Sequence, residues 1–85
     1  MEKTMSLRNE IIDLIKRNLM EIVPGLKEGQ ISYDDRFADL GADSVDRGEL
    51  ITLTLERLNL DLPRVEFAGA NTINELTDLI VEKKG

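Results

Sequence analysis

The sequence predicts an all-α fold, a four-helix bundle of three long helices and one short one with a long loop between the first two. Three observations predict it. Apolar residues near the start recur at helical spacing, Asp43-Ser44 reads as the head of a second helix, and Thr72-x-x-Glu75 has the form of a capping box before a last apolar run.

In the first segment Leu7, Ile11, Leu14, Ile15, Leu19 and Ile22 fall on one helical face, while Arg8, Lys16 and Glu21 fall elsewhere. This predicts a helix over 6–22, stopped by Pro24-Gly25. The stretch 24–42 reads as a long connection with Gly25, Gly29 and the acidic pair Asp34-Asp35. Leu26, Ile31, Tyr33, Phe37 and Leu40 are expected to pin it to the core. Loops of this length are uncommon unless they have a job.

The second helix is expected to start at Asp43-Ser44 and run to about residue 58. Asp43 as its cap puts Asp46 at the third helical position, and the helix dipole favours an acid at both. By the helical step, Ile51, Thr54, Leu55 and Leu58 share the core face. Val45, Glu49, Thr52 and Glu56 lie roughly opposite, and Leu53 lies off the core arc. Gly48 is a poor helix former, worth about 1 kcal/mol against Ala. Pro63 ends the extended Leu60-Asp61-Leu62 run, a short helix over 64–68 follows, and Gly69 breaks it. Ile73, Leu76, Leu79 and Ile80 predict a last helix over 73–82. The whole chain, 1–85, reads as one domain with flexible ends at about 1–5 and 83–85, the tail fraying at Lys83-Lys84-Gly85.

Composition excludes several functions. The chain has no Cys and no His, so it lacks thiolate chemistry, the commonest general base and a leading metal ligand. With one Tyr, two Phe and no Trp it offers few platforms for stacking bases. A net charge of −6 repels nucleic acid and anionic membranes and attracts partners with basic patches. No apolar run is long enough to span a bilayer, and no basic-then-apolar leader opens the chain, so a cytoplasmic protein is expected. Asp34, Asp35, Asp39, Asp43 and Asp46 lack the ligand spacing and central Gly of an EF-hand loop, so no metal site is expected. No Gly-rich phosphate loop is present.

Ser44 is the position with chemical meaning. As a nucleophile it has no His to activate it. A hydroxyl at a helix N-terminus can instead carry a phosphodiester, whose charge the helix dipole partly offsets. Asp43 and Asp46 work against that anion, so a second enzyme would have to install the group.

Leu40-Gly41-Ala42-Asp43-Ser44-Val45-Asp46 resembles the phosphopantetheine attachment motif of acyl carrier proteins, and Leu62-Pro63 is similar to the Ile-Pro that follows the second helix in that family. The resemblance covers nearly the whole chain. It implies a right-handed four-helix bundle with a covalent 4'-phosphopantetheine arm on Ser44, beside Asp43, installed by a phosphopantetheinyl transferase. Acyl groups ride on its thiol as thioesters, so the absence of Cys is no objection. Such a chain is a carrier and not an enzyme, and a monomer is expected.

The sequence departs from the fatty-acid type. Arg47 and Gly48 stand where that type has an uncharged and an apolar residue, Leu55 replaces an acid, and Arg64-Val65-Glu66-Phe67-Ala68-Gly69 replaces a strongly acidic segment. The runs Asp43-Ser44-Val45-Asp46-Arg47-Gly48-Glu49, Leu50-Ile51-Thr52, Leu62-Pro63-Arg64-Val65-Glu66 and Ala68-Gly69-Ala70 resemble the free-standing donor acyl carrier proteins of polyketide β-branching cassettes. That resemblance implies a carrier loaded by an acyltransferase, whose malonyl group a decarboxylating ketosynthase-like enzyme converts to acetyl. An HMG-CoA synthase-like enzyme then takes the acetyl. The expected partner face is Val45, Glu49, Thr52 and Glu56, with Arg47, Arg64 and Phe67 at its edges. The plainer role for the two Arg residues is surface pairing with Asp46 or Glu66. Two alternatives stand beside this reading: a carrier of fatty-acid synthesis, and an acidic protein-interaction bundle without a covalent cofactor.

Overall fold

Ile11, Ile15 and Leu19 are fully buried, and this stripe seats the first helix, α1 (Lys3–Ile22), on the core. The computed structural model describes the backbone over residues 3–84 and the side chains over 7–84. The second helix, α2 (Ser44–Arg57), and the third, α3 (Ile73–Lys84), both pack on α1. Three short 3₁₀ segments link them: Glu28–Gln30, Phe37–Leu40 and Arg64–Phe67. Among the described residues the only β pairing is one antiparallel bridge, Arg36 to Thr72. The all-α bundle is thus present, with its short member a 3₁₀ turn rather than an α-helix.

α1 starts earlier than its apolar spacing indicated. Lys3-Thr4-Met5 contains no Gly or Pro to stop a helix, and the apolar pattern becomes visible only at Leu7. The tail differs too. Lys83 and Lys84 lie inside α3, and Lys83 Nζ is 2.8 Å from Glu66 Oε1. That ion pair ties the last turn to the Arg64–Phe67 segment. The other expected flexible positions, 1, 2 and 85, lie outside the described residues.

The long connection is held at both of its ends. Phe37 and Leu40 are buried, and Leu26 and Ile31 pack against the core at its margin. The Phe37 N–H donates to Asn71 O at 2.8 Å, and Asn74 N–H donates to Tyr33 O at 3.1 Å, so the loop is stitched to the start of α3. Tyr33 does not pin the core as expected. It is 41 % exposed, and Lys16 Nζ lies 5.6 Å from its ring centre. Asp34 accepts from Asn74 Nδ2 at 2.6 Å, which makes this acid a loop fastener.

The turn that delivers the chain into α2 needs Gly41. Its φ is +98°, where a side chain is strained, and an added Cβ would lie 3.3 Å from Val23 Cγ1. Gly41 N–H closes the preceding 3₁₀ turn on Ala38 O at 3.1 Å, and Ala42 tucks into the core. The next two residues, Asp43 and Ser44, therefore emerge on the surface at a fixed point.

Phe67 is a correction. It is fully buried rather than an edge of a partner face. The Arg64–Phe67 segment is a single 3₁₀ turn against α2, and its one aromatic side chain is what anchors it there.

Candidate functional site

Asp43 has extended backbone and its Oδ1 accepts from the Asp46 N–H at 2.8 Å. Asp46 returns the bond, its Oδ2 accepting from the Asp43 N–H at 3.2 Å. The reciprocal cap satisfies two otherwise orphan donors and fixes the first turn. Ser44 is thereby the first residue of α2, exposed, with no side-chain hydrogen bond to its hydroxyl among the described residues. The carboxyls of Asp43 and Asp46, on either side of it in the sequence, each accept a backbone N–H.

Beside Ser44 lies an open groove of about 350 Å³, lined by Ser44, Arg47, Gly48 and Ile51 on α2 and by Arg64, Val65 and Ala68 across from it. Val65, which lines the groove, is 76 % exposed, and Val45, next to Ser44 in the chain, is 75 % exposed. Arg47 Nη1 donates to Asn71 Oδ1 at 2.8 Å, and Arg64 Nη1 donates to Thr52 Oγ1 at 3.3 Å. Neither pairs with Asp46 or Glu66, since Asp46 caps the helix and Glu66 takes Lys83. An added Cβ on Gly48 would meet Arg64 Nη1 at 3.5 Å, so this glycine is the seat of the Arg64 guanidinium.

The other expected face residues divide clearly. Glu49 and Glu56 are exposed on α2, whereas Thr52 is half-buried and engaged by Arg64. Val65, Ala68 and Asn71 belong to the surroundings of Ser44 without having been picked out individually. The signal for Val65 was an apolar residue next to a cation in a segment too short to show periodicity. Among the described residues no group of acids is placed to hold a metal ion, and no helix is long and apolar enough to cross a membrane.

Ser44 thus presents an exposed hydroxyl at the head of a capped helix. The comparisons with known proteins name the family. Residues 9–80 match the family described as "Phosphopantetheine attachment site", and the chain belongs to it. The chain is 38 % identical over 76 residues to the polyketide biosynthesis acyl-carrier-protein AcpK of Bacillus subtilis (strain 168), covering 89 % of this chain and 93 % of the relative. It is 33 % identical over 76 residues to the acyl carrier protein of Cyanidioschyzon merolae (strain NIES-3377 / 10D), covering 88 % and 82 %. Its fold is similar, at TM-score 0.82 and 39 % identity, to a chain in the crystal structure of the curacin biosynthetic pathway HMG synthase in complex with acetyl donor-ACP. That match covers 88 % of this chain and 96 % of the other. The protein is an acyl carrier whose cofactor is 4'-phosphopantetheine, and it is not a catalyst. The alternative of an interaction bundle without a covalent cofactor is set aside.

The residues at the site fit that cofactor. The exposed Ser44 hydroxyl would offer an attachment oxygen, and Ile51 and Ala68 are among the residues lining the groove beside it. The arm supplies the thiol that this Cys-free chain lacks.

Proposed function

We infer that Ser44 carries the phosphopantetheine arm and that the loaded carrier donates acetyl to an HMG-CoA synthase-like enzyme in polyketide β-branching. The observation that carries the reading is the exposed Ser44 hydroxyl at the capped start of α2, within a chain that resembles a donor carrier in complex with an HMG synthase. A phosphopantetheinyl transferase installs the arm, an acyltransferase and a decarboxylating ketosynthase-like enzyme set the cargo, and the synthase removes it. The carrier is one domain over 1–85, monomeric and cytoplasmic, and meets its partners through Val45, Glu49 and Glu56 with Arg47 and Arg64 at the rim.

The test has two stages. Intact mass after coexpression with a promiscuous transferase is expected to rise by the arm in the wild type and not in Ser44→Ala, with circular dichroism unchanged. Acetyl transfer from the loaded protein to a β-ketoacyl acceptor carrier is then run beside a fatty-acid carrier as donor, and this protein is expected to be the faster. A carrier of fatty-acid synthesis is the second reading, supported by the likeness to the C. merolae acyl carrier protein. Equal rates for the two donors would favour it.

A further inference from the structure

Most cations of this acidic chain are neutralised locally. Arg8, Lys16, Arg17, Arg36, Arg57 and Lys83 each lie within 4.0 Å of a carboxylate oxygen. Arg47 and Arg64 form no such pair among the described residues, and they line the same groove beside Ser44. Their hydrogen-bond partners, Asn71 Oδ1 and Thr52 Oγ1, are neutral. These partners orient the guanidinium groups without cancelling their charge. Each guanidinium has five N–H donors and spends one of them on these contacts. Gly48, Ile51, Val65 and Ala68 line the same groove, and apolar lining strengthens an ionic contact made against it.

Two uncompensated guanidiniums facing one groove suit a carboxylate, whose two oxygens match the fork of N–H donors. The position of Arg64 decides which anion of the arm this is. Its guanidinium lies over Gly48 and reaches Thr52, one to two turns along α2 from Ser44, or roughly 6–12 Å at the rise of an α-helix. The phosphodiester is bonded directly to the Ser44 oxygen and stays at the head of the helix. A charge at the acyl end of an arm folded back along α2 can reach Arg64 there.

We propose that this groove is a docking site for an acyl group ending in a carboxylate, held by Arg47 and Arg64 when the chain's own arm folds back along α2. A neutral acyl end of the same kind, lacking only the carboxylate, is not held. The carrier therefore retains a carboxyacyl cargo against its surface and presents a neutral one to solvent. The guanidinium of Arg64 rests against Gly48, where an added Cβ would meet Nη1 at 3.5 Å, an ordinary contact distance. The inference rests on Ser44 as the attachment residue.

The test compares the nitrogen–proton correlation spectra of four forms: apo, arm-bearing, acetyl-loaded and malonyl-loaded, with loading confirmed by intact mass. Malonyl is expected to move the Gly48 and Ala68 amides and the Arg47 and Arg64 Nε–H signals, while acetyl leaves them at their arm-bearing positions. Arg47→Gln and Arg64→Gln are each expected to cut the malonyl displacement by more than half, and the double variant to abolish it. Identical malonyl and acetyl spectra would overturn the proposal, as would a malonyl displacement that survives in the double variant. A displacement already complete on adding the arm alone would also overturn it, since the phosphodiester or the arm amides would then be the occupant. Each of these outcomes leaves Ser44 as the attachment residue intact. A chain that takes no arm overturns both readings, and the mass reveals it at the loading step.

Discussion

Two buried threonines sit in the bundle in opposite circumstances. Thr54 Oγ1 accepts from Asn18 Nδ2 at 2.9 Å, and Asn18 Oδ1 accepts in turn from Arg57 Nη1 at 2.6 Å, so the polar contact between α1 and α2 is closed. Thr77 Oγ1 is equally buried in α3 and has no hydrogen-bond partner among the described residues. A buried hydroxyl without a partner costs about 1–3 kcal/mol of desolvation, while one in a satisfied network contributes. Valine has the shape of threonine without the hydroxyl, so the same substitution should act with opposite sign at the two sites. Thr77→Val is expected to raise stability by about 1 kcal/mol, and Thr54→Val, which strands the Asn18 amide, to lower it by at least as much. Urea denaturation of both variants checks this. A loss of stability in Thr77→Val would mean that its hydroxyl finds a partner in solution.

At the scale of elements, α2 is fixed by its two ends. Its head carries the Asp43–Asp46 cap. Its tail closes on Asn59, whose φ is +57°, with Asn59 N–H donating to Glu56 O at 3.1 Å and Leu60 N–H to Leu55 O at 3.0 Å. Asn tolerates the left-handed conformation that this closing motif requires. Asp43→Ala is expected to cost about 1 kcal/mol in thermal melts. It should also slow arm installation, because the first turn that presents Ser44 loses its clamp. Full loading speed in a variant with the expected loss of stability would confine Asp43 to a structural role. The head of α2 was legible because a capping box is written in consecutive residues. α3 was legible too, apart from its last turn and one bond of its cap: Glu75 Oε1 accepts from Asn71 N–H at 2.8 Å rather than from its Thr72 neighbour. Thr72 still caps, its Oγ1 accepting from Glu75 N–H at 3.1 Å. The 3₁₀ turns at Glu28–Gln30 and Phe37–Leu40 were not legible, since a single turn has no periodicity to read. For the same reason Phe67 read as a surface edge, although it is the one fully buried side chain of its four-residue turn. Leu50 shows the limit of a helical wheel. It is fully buried although the core arc was drawn through Ile51, Thr54, Leu55 and Leu58, because α2 is covered by the Arg64–Phe67 segment as well as by α1. At the site, Ser44 and its cap were legible in the local motif, whereas the contacts of Arg47 with Asn71 and Arg64 with Thr52 join residues far apart in the chain.

For the whole molecule, the net charge of −6 acts on stability and on association in different ways. The Glu28 carboxyl is held below its usual range by its hydrogen bond to Lys16, and Glu21 likewise by its hydrogen bond to Arg57. A carboxyl with a lowered folded-state pKa stabilises the fold above its ordinary value near 4.5 and loses that contribution as pH falls through the lowered one. Glu28→Gln is therefore expected to be less stable than wild type at pH 7, with the gap closing as pH drops below 4.5 and absent once the wild-type carboxyl is protonated. Chemical denaturation across pH 2.5–7 measures that gap, and a constant gap would mean that Glu28 acts through packing. These pairs are exposed, so their effect is modest and screened by salt. Association is the larger consequence. Glu49 and Glu56 stand exposed on α2, and on the proposed reading the acidic field around them would steer a basic partner surface toward α2. Steering acts before contact, so it should appear in the association rate and leave dissociation little changed. Binding to an HMG-CoA synthase-like enzyme, followed by stopped flow, is expected to slow severalfold from low to physiological salt, and to slow again in Glu49→Lys or Glu56→Lys at low salt. In those variants the salt dependence should flatten, since the long-range attraction has already been removed. A partner whose association rate ignores both salt and these reversals would be meeting the protein through the apolar pair Val45 and Val65 instead, and charge would then have no part in choosing it.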